Sequence, residues 1–212
     1  MSNPSMPMTN SPLIPSTKTL FNLAVGGLVG LLIWEIFARV LTKALLGYPL
    51  EPAGLIDAIL NHQFGISINV WLREALHYAV GILGYPIAFY IIARLVPRWS
   101  LVLDGIVLAT FTAGVAVYLS RNGVSLGLVG FWLAVVALIA SRFINPDDGL
   151  RNAISWGTFS WLNALGIMAP IGGLSFYLLG EGGSLSFMSF VGHVIYGAVA
   201  VLVFYRLEGS KI

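Results

Sequence analysis

The chain has 212 residues, of which 58% are apolar and 9% are charged, and its mean hydropathy is +0.88. Ordinary soluble domains have roughly 45–50% apolar and about 25% charged residues, so this composition excludes a soluble domain and predicts a polytopic membrane protein. The net charge of +2 argues against a nucleic-acid partner, and the absence of cysteine excludes disulfides, thiol catalysis and thiolate metal sites.

The N-terminal stretch MSNPSMPMTNSPLIPST contains four prolines and no charged side chain. This composition is typical of a flexible tail, and it lacks the basic segment with which a signal peptide begins. We therefore expect a flexible tail over residues 1–18 and a single six-helix membrane domain over residues 19–212.

Six apolar runs approach the length of about 20 residues that a helix needs to cross the hydrocarbon core. They extend roughly over Leu20 to Leu41, Leu72 to Val96, Leu101 to Leu119, Leu126 to Ile144, Ala153 to Leu179 and Ser186 to Tyr205. The alternation of a β-barrel is absent, so the predicted fold class is all-α, a transmembrane bundle of about six helices. Pro86 and Pro170 lie inside two of the runs and should kink the helix or loosen a backbone bond there.

The segment PLEPAGLIDAILNHQFG, between the first two runs, is too short to span the membrane. Its apolar residues repeat at helical spacing, which predicts a short interfacial or re-entrant helix on the outer face. Asp57 and His62 lie elsewhere around this helix and are expected to face solvent.

Lysines and arginines predict the orientation, because short cytoplasmic loops carry an excess of them. With the N-terminus in the cytoplasm, the cytoplasmic group is Lys18, Arg94, Arg98, Arg142, Arg151, Arg206 and Lys211, and the outer group is Arg39, Lys43, Arg73 and Arg121. We therefore expect a bacterial inner-membrane protein with both termini in the cytoplasm.

Glu35, in LLIWEIFARV, is deep enough in the first run that burying its charge costs about 2.5–3.5 kcal/mol on insertion scales. Arg39 follows four residues later on the same helical face, so a Glu35–Arg39 pair can offset part of this cost. Alternatively, Arg39 extends to the interface and Glu35 lies near the outer boundary. The sequence leaves both arrangements open.

Ionisable residues of three helices are expected at similar depths in the outer leaflet. At a rise of 1.5 Å per residue, Glu35 lies roughly 9 Å and His193 roughly 10 Å below the outer surface. In the second run, His77 lies roughly 7 Å and Glu74 about 3 Å below it. Arg73 and Glu74 are four and three residues from His77, so each can share a helical face with it.

A histidine beside a carboxylate is typical of a proton carrier, a general base or a metal ligand. A di-metal carboxylate site would need a second Glu-x-x-His, which the chain lacks. His77 and His193 could instead be axial haem ligands, or they could join the helices in a purely structural hydrogen-bond network. Further partners for such a network are Tyr78, Thr158, Asn163, Ser189 and Tyr196.

Three stretches carry a family resemblance. EALHYAVGILGYPIAFYIIARLVP, GIMAPIGGL and FVGHVIYGAVAVLVF resemble uncharacterised small bacterial inner-membrane proteins of the YagU-like type, and GYPLEPAGLIDAIL is similar to that family's first loop. The shared features fall on Glu74, His77, Tyr78, Pro170, Gly172, Gly192, His193 and Gly197. Such proteins have mostly four helices, so the resemblance implies that the hairpin from about Leu101 to Ile144 is an insertion. It implies no reaction.

We expect a non-enzymatic membrane protein with an outward-facing polar pocket, because no catalytic motif, nucleophile or metal-ligand set is recognisable. The residues expected to line the pocket are Glu35, Arg39, Glu74, His77 and His193, supported by Arg73, Tyr78 and Tyr196. Such a pocket would bind or move a small solute, a proton or a lipid. The alternative is a pigment- or haem-binding subunit of a membrane redox or photosynthetic complex, and the sequence itself identifies no cofactor.

The expected partner is the lipid bilayer. Gly26 and Gly30 form a GxxxG pattern, as do Gly123 and Gly127, and this spacing lets helix backbones approach closely. These glycine-rich faces predict either contact with a membrane-protein partner or second copy, or packing within one bundle.

Overall fold

The computed structural model describes residues 13–144, 147–181 and 183–209. Within these ranges the chain forms seven helices and no β-strand, which confirms the predicted all-α fold. The helices are α1 (Thr17–Leu46), α2 (Gly54–Phe64), α3 (Val70–Leu95), α4 (Trp99–Asn122), α5 (Leu126–Ile144), α6 (residues 148–171) and α7 (Gly183–Glu208). Residues 1–12 of the expected tail, and Lys211, lie outside the described residues.

Five of these helices, α1, α3, α4, α5 and α7, are long and apolar enough to cross a membrane. The chain is therefore a polytopic membrane protein of the helical-bundle type. α6 packs between α4 and α7 in the same bundle, but it is more polar and begins with Asp148, Arg151 and Asn152. The count of six spans therefore stays a prediction.

Successive long helices run antiparallel; the connections from α3 through α6 are short, whereas residues 47–69, which include α2, join α1 to α3, and residues 172–182 join α6 to α7. α2 lies at one end of the bundle, which we call the α2 end, and the other end is called the opposite end. α1, α4 and α6 run toward the α2 end, whereas α3, α5 and α7 run away from it. α7 is the central helix, since it packs along both α1 and α6.

Glycines allow the close approach of α7 to its neighbours. A Cβ atom at Gly197 would fall on the backbone of Gly157 in α6, and a Cβ atom at Gly157 would fall on the backbone at His193. Gly26 and Gly30 face α7 in the same way, because a Cβ atom there would meet the backbone of that helix. This GxxxG pattern therefore packs within the bundle, whereas a Cβ atom at Gly127 would meet only its neighbour Ser125.

Both prolines loosen their helices as predicted, because a π-helical segment precedes each of them. In α3 the Tyr85 N–H reaches back to the Val80 carbonyl, and Pro86 has no N–H to donate. The Gly81 carbonyl is thereby left without a helical donor, and the Tyr196 hydroxyl of α7 donates to it at 2.6 Å. The loosened turn of α3 thus becomes a polar contact to the central helix.

A third π-helical segment, Phe37–Leu41, lies in α1 without a proline to predict it. The Thr42 N–H bonds to the Phe37 carbonyl, which frees the carbonyl of Ala38. The Leu50 N–H donates to that carbonyl at 2.9 Å. This bond fixes the segment after α1 against the helix, beside the turn that carries Arg39.

The helix predicted to continue to Leu179 ends earlier, and this part of the prediction is wrong. α6 stops before Gly172, and Gly173 adopts a φ of 77°, a left-handed conformation that glycine accepts without steric cost. The chain then turns back, and the buried Tyr177 hydroxyl bonds to Thr110 of α4 at 2.8 Å.

The short helix predicted between the first two runs is present as α2 and packs against the end of α6. The Gln63 side chain donates to the Ile171 carbonyl at 2.6 Å. His62 is exposed, as expected. Asp57 is half-buried, in contrast to the expectation, because it accepts a hydrogen bond from the Ile68 N–H at 3.1 Å and so holds the turn that leads into α3.

Candidate functional site

Four of the five predicted pocket residues meet at the α2 end, where α1 and α3 cross. The Arg39 guanidinium donates through Nε to Glu35 and through Nη2 to Oε2 of Glu74 at 2.7 Å. Nε2 of His77 lies 3.0 Å from Oε1 of Glu35. We call these four residues the α1–α3 cluster.

Local helix geometry explains why these side chains meet. Glu35 and Arg39 are one turn apart on α1, and Glu74 and His77 are one turn apart on α3, so each pair shares a helical face. Arg39 therefore forms an ion pair, one of the two arrangements that the sequence left open. Its side chain is 40% exposed, whereas the other three side chains are 15–18% exposed, so the cluster is partly shielded but reachable.

The supporting residues make different contacts. The Tyr78 ring packs against His77, with ring centroids 5.7 Å apart. Arg73 lies 3.9 Å from the Glu51 carboxylate, so it pairs outside the cluster. The Tyr196 hydroxyl is engaged by the Gly81 carbonyl, one turn along α3 from His77.

His193 lies beside the cluster without a hydrogen bond to it in the described part of the chain. Tyr196 is three residues from His193, and Gly81 is four residues from His77, so the Tyr196–Gly81 bond places both imidazoles on neighbouring turns of parallel helices. The two imidazoles are close enough to interact electrostatically. The His193 ring packs on Trp34, with centroids 4.7 Å apart.

The hydrogen bond at Nδ1 fixes the tautomer of His193. Nδ1 lies 2.8 Å from the Ser189 carbonyl, which can only accept, so Nδ1 carries the proton. Nε2 of a neutral His193 therefore keeps its lone pair, and among the described contacts nothing donates to it. Five further residues were expected to hydrogen-bond to the histidines. Among the described residues, only Ser189 of these five does so.

The charges of the α1–α3 cluster do not balance by themselves. Two carboxylates, from Glu35 and Glu74, surround the single guanidinium of Arg39. The cluster has a net charge of −1 when His77 is neutral and no net charge when His77 is protonated. One added proton would therefore balance the charges of the cluster, and His77 is its only imidazole.

A second ionic site, which the sequence pattern did not predict, lies between α4 and α5. Asp104 and Arg142 form an ion pair, and these residues are only 3% and 2% exposed. Arg142 was expected to lie at the cytoplasmic surface and is instead buried, because Asp104 and the Ser100 carbonyl hold it inside the bundle. The available signal was the single aspartate in the apolar run that begins at Leu101.

α6 supplies polar groups to this second site. The hydroxyls of Ser155 and Thr158 lie 3.4 and 3.3 Å from the Asp104 carboxylate oxygens. Thr158 therefore contacts Asp104 and not a histidine, in contrast to the expectation. Asn163 likewise donates to the Tyr85 hydroxyl at 2.8 Å.

Two large clefts lie at the α2 end, away from both ionic sites. One has a volume of about 480 Å³ and lies between α5, α7 and the chain after α6, and the other, of about 430 Å³, lies beside α4. Tyr118 and Leu179 line both clefts, and most of the exposed lining is apolar. None of the four residues of the α1–α3 cluster lines either cleft; their polar groups contact one another directly.

Comparisons with known proteins give no match: no family model, curated protein or solved structure is similar to this chain. The resemblance to YagU-like proteins, and the two-helix insertion that it implies, therefore stay predictions from short motifs. Function has to be argued from the site itself.

Proposed function

We propose that this protein is a bacterial inner-membrane protein whose α1–α3 cluster binds and passes a proton. The observation that carries the proposal is the bond between the Glu35 carboxylate and His77 in a cluster with a net charge of −1. Ionisable groups inside a membrane domain are costly, and they commonly mark ion or proton pathways. A proton fits this site better than a larger solute or a lipid, because the polar groups already contact one another.

The chemistry of His77 follows from its contact to Glu35. A carboxylate accepts hydrogen bonds, so Nε2 of His77 carries a proton toward Glu35, and Nδ1 is the position at which the next proton binds. Glu35 stabilises the imidazolium that forms. When the imidazolium passes its Nε2 proton to Glu35, both side chains become neutral. The total charge of the His77–Glu35 pair therefore stays the same during this transfer.

The proposed orientation puts the α2 end outside and both termini in the cytoplasm. The excess of basic residues at the opposite end is smaller than the sequence indicated, because Arg142 is buried in an ion pair and Lys211 lies outside the described residues. Of the basic residues that remain, five lie at or near the opposite end and four lie at the α2 end. The excess of basic residues still favours the opposite end as the cytoplasmic one.

Proton flux into liposomes that contain the purified protein tests the proposal. An imposed potential should drive flux in the wild type, and Glu35→Gln and His77→Asn should each lower the flux by about tenfold or more. His62→Gln is the matched control, because His62 is exposed on α2. Wild-type liposomes that conduct no better than empty ones would remove the proposal, and so would full flux in both cluster variants.

A pigment or haem site is the second candidate, and one observation favours it. The Nδ1–H of His193 bonds to a backbone carbonyl, which is a common arrangement for an imidazole that ligates a metal through Nε2. His77 is less suited as the second ligand, because its Nε2 faces Glu35. The visible absorption spectrum of protein purified in mild detergent tests this candidate, and a colourless preparation from cells supplied with haem would count against it.

A further inference from the structure

The buried Asp104–Arg142 pair has features that a purely structural ion pair does not need. The Asp104 carboxylate is surrounded by Arg142 and by the Ser155 and Thr158 hydroxyls. In the described part of the chain, Nε and Nη2 of Arg142 are buried without a hydrogen-bond partner. A buried pair is stabilising only when its remaining donors are also satisfied, and apolar residues often replace such pairs without loss. A contribution to the stability of the fold is therefore a weak explanation for the presence of this ion pair.

Polar side chains lie between the α1–α3 cluster and this pair. The ring of Tyr196, one turn from His193, is 6.1 Å from the ring of Tyr85. The Tyr85 hydroxyl accepts a hydrogen bond from Asn163 of α6 at 2.8 Å and donates to the Ser160 carbonyl at 3.5 Å. Tyr85 directly follows the π-helical segment Val80–Gly84, and Asn163 lies within the π-helical segment Leu162–Met168, where backbone carbonyls lose helical donors.

α6 then leads from Asn163 to the Ser155 and Thr158 hydroxyls, which donate to helix carbonyls at 2.8 and 3.0 Å and lie 3.4 and 3.3 Å from the Asp104 carboxylate. Ser160, Thr158 and Ser155 are fully buried and lie on the two turns of α6 that approach Asp104. The polar groups thus extend from the α2 end, through the centre of the bundle, toward the opposite end. None of these polar side chains lines either of the two large clefts, and a path through packed side chains suits a proton better than a larger solute.

We propose that Asp104 is the second proton-binding group of a transmembrane proton route, an inference that rests on the proton-binding function of the α1–α3 cluster. A proton leaves the His77 imidazolium, passes by His193 and Tyr85, and binds the Asp104 carboxylate. Asp104 becomes a neutral acid and releases the Arg142 guanidinium. When the proton leaves to the aqueous phase at the opposite end, the ion pair forms again.

The charged groups around Asp104 are consistent with this exchange. Arg142 faces it from α5, and Arg151 of α6 is close enough to repel Arg142 electrostatically. Arg151 in turn pairs with Asp148. Arg142 therefore acts as a tethered counter-ion, which keeps the site neutral when no proton is bound there.

Proton flux in liposomes tests the role of Asp104 with a variant that removes both charges. The double variant Asp104→Asn/Arg142→Gln keeps a hydrogen-bonding group at both positions and avoids an unpaired buried charge. We expect it to retain wild-type helix content and a single peak in gel filtration, and to lower proton flux by about tenfold or more. Full flux in this folded variant would overturn the inference.

A second variant keeps the test decisive if the first one does not fold. Ser155→Ala/Thr158→Val retains the ion pair but removes both hydroxyls from Asp104, and it should lower flux several-fold. Ser120→Ala/Ser141→Ala, at exposed positions, is the matched control and should conduct like the wild type. Unchanged flux in Ser155→Ala/Thr158→Val would overturn the route through α6.

The two proposals fail in different ways. Loss of flux in Glu35→Gln together with full flux in Asp104→Asn/Arg142→Gln would overturn the proton-binding role of Asp104 alone. A wild-type protein without any proton flux would overturn the proposed function and, with it, this route.

Discussion

The hydroxyl of Tyr196 and the carbonyl of Gly81 form the bond that sets α7 against α3, at 2.6 Å. Pro86 creates the need for this bond, because it removes a backbone donor from the turn that contains Gly81. His77 and His193 each lie one turn toward the α2 end from this contact. The same bond therefore satisfies a loosened helix and places the two imidazoles on neighbouring turns of α3 and α7.

Replacement of Tyr196 by Phe should destabilise the protein, because the Gly81 carbonyl would be left buried without a donor. We expect a loss of about 1–3 kcal/mol in the free energy of unfolding. Urea unfolding in detergent micelles, followed by circular dichroism, measures this loss. Tyr48→Phe is the control, since Tyr48 is 45% exposed, and an equal stability of both variants would contradict the role of the Tyr196 hydroxyl.

Gly157→Ala should disturb the packing of α6 on α7. The added methyl group would collide with backbone atoms of Val194 and His193, which cannot move as a side chain can. Overpacking of this kind costs about 1–3 kcal/mol or more. Gly130→Ala in α5 is the matched control, because a Cβ atom there has nothing within 4 Å. Thermal unfolding should distinguish the two variants, and equal midpoints would argue against the close α6–α7 contact.

Arg39→Met should destabilise the α1–α3 cluster, because Glu35 and Glu74 would face each other without a cation. We expect a loss of about 1–2 kcal/mol near neutral pH, at the lower end for charged hydrogen bonds because Arg39 is 40% exposed. Acidification should recover part of the loss, since protonation of one carboxylate removes the repulsion. Lys43→Met, one turn further at an exposed position, should show neither effect. A stability of Arg39→Met that does not change with pH would contradict the cluster.

The orientation can be tested by cysteine labelling, which is simple because the natural chain has no cysteine. Val124→Cys, between α4 and α5, replaces a side chain that is 82% exposed at the α2 end. Leu207→Cys replaces one that is 42% exposed at the opposite end. A membrane-impermeant maleimide should label the first in intact cells after outer-membrane permeabilisation, and the second only after lysis. The reverse pattern would invert the proposed orientation.

The apolar runs were sufficient to predict the helices that are long and uninterrupted. The predicted bounds of α5, Leu126 to Ile144, agree with the structure at both ends. The end of α6 was not predicted, because the apolar residues continue past Gly172 and Gly173 into a turn whose buried side chain is Tyr177. Apolar residues occur both in a buried helix and in a buried turn such as the one at Tyr177. Hydropathy alone therefore does not distinguish between the two.

The two ionic sites show what residue spacing can and cannot reveal. Glu35 and Arg39 share a turn, and depth along the helices related them to His77, so the α1–α3 cluster could be anticipated. Asp104 and Arg142 lie on different helices, and Arg142 is close enough to the end of its run to be counted as a loop residue. Only the packing of α4 on α5 reveals their contact.

The contact between His77 and Glu35 can be observed directly by ¹⁵N solid-state NMR of histidine-labelled protein in lipid bilayers. We expect Nε2 to carry the proton of neutral His77, acidification to add a proton at Nδ1, and Glu35→Gln to shift the Nε2 resonance while the resonances of His62 stay unchanged. An unprotonated Nε2 in neutral His77, or an Nε2 resonance that does not respond to Glu35→Gln, would contradict the proton-binding site.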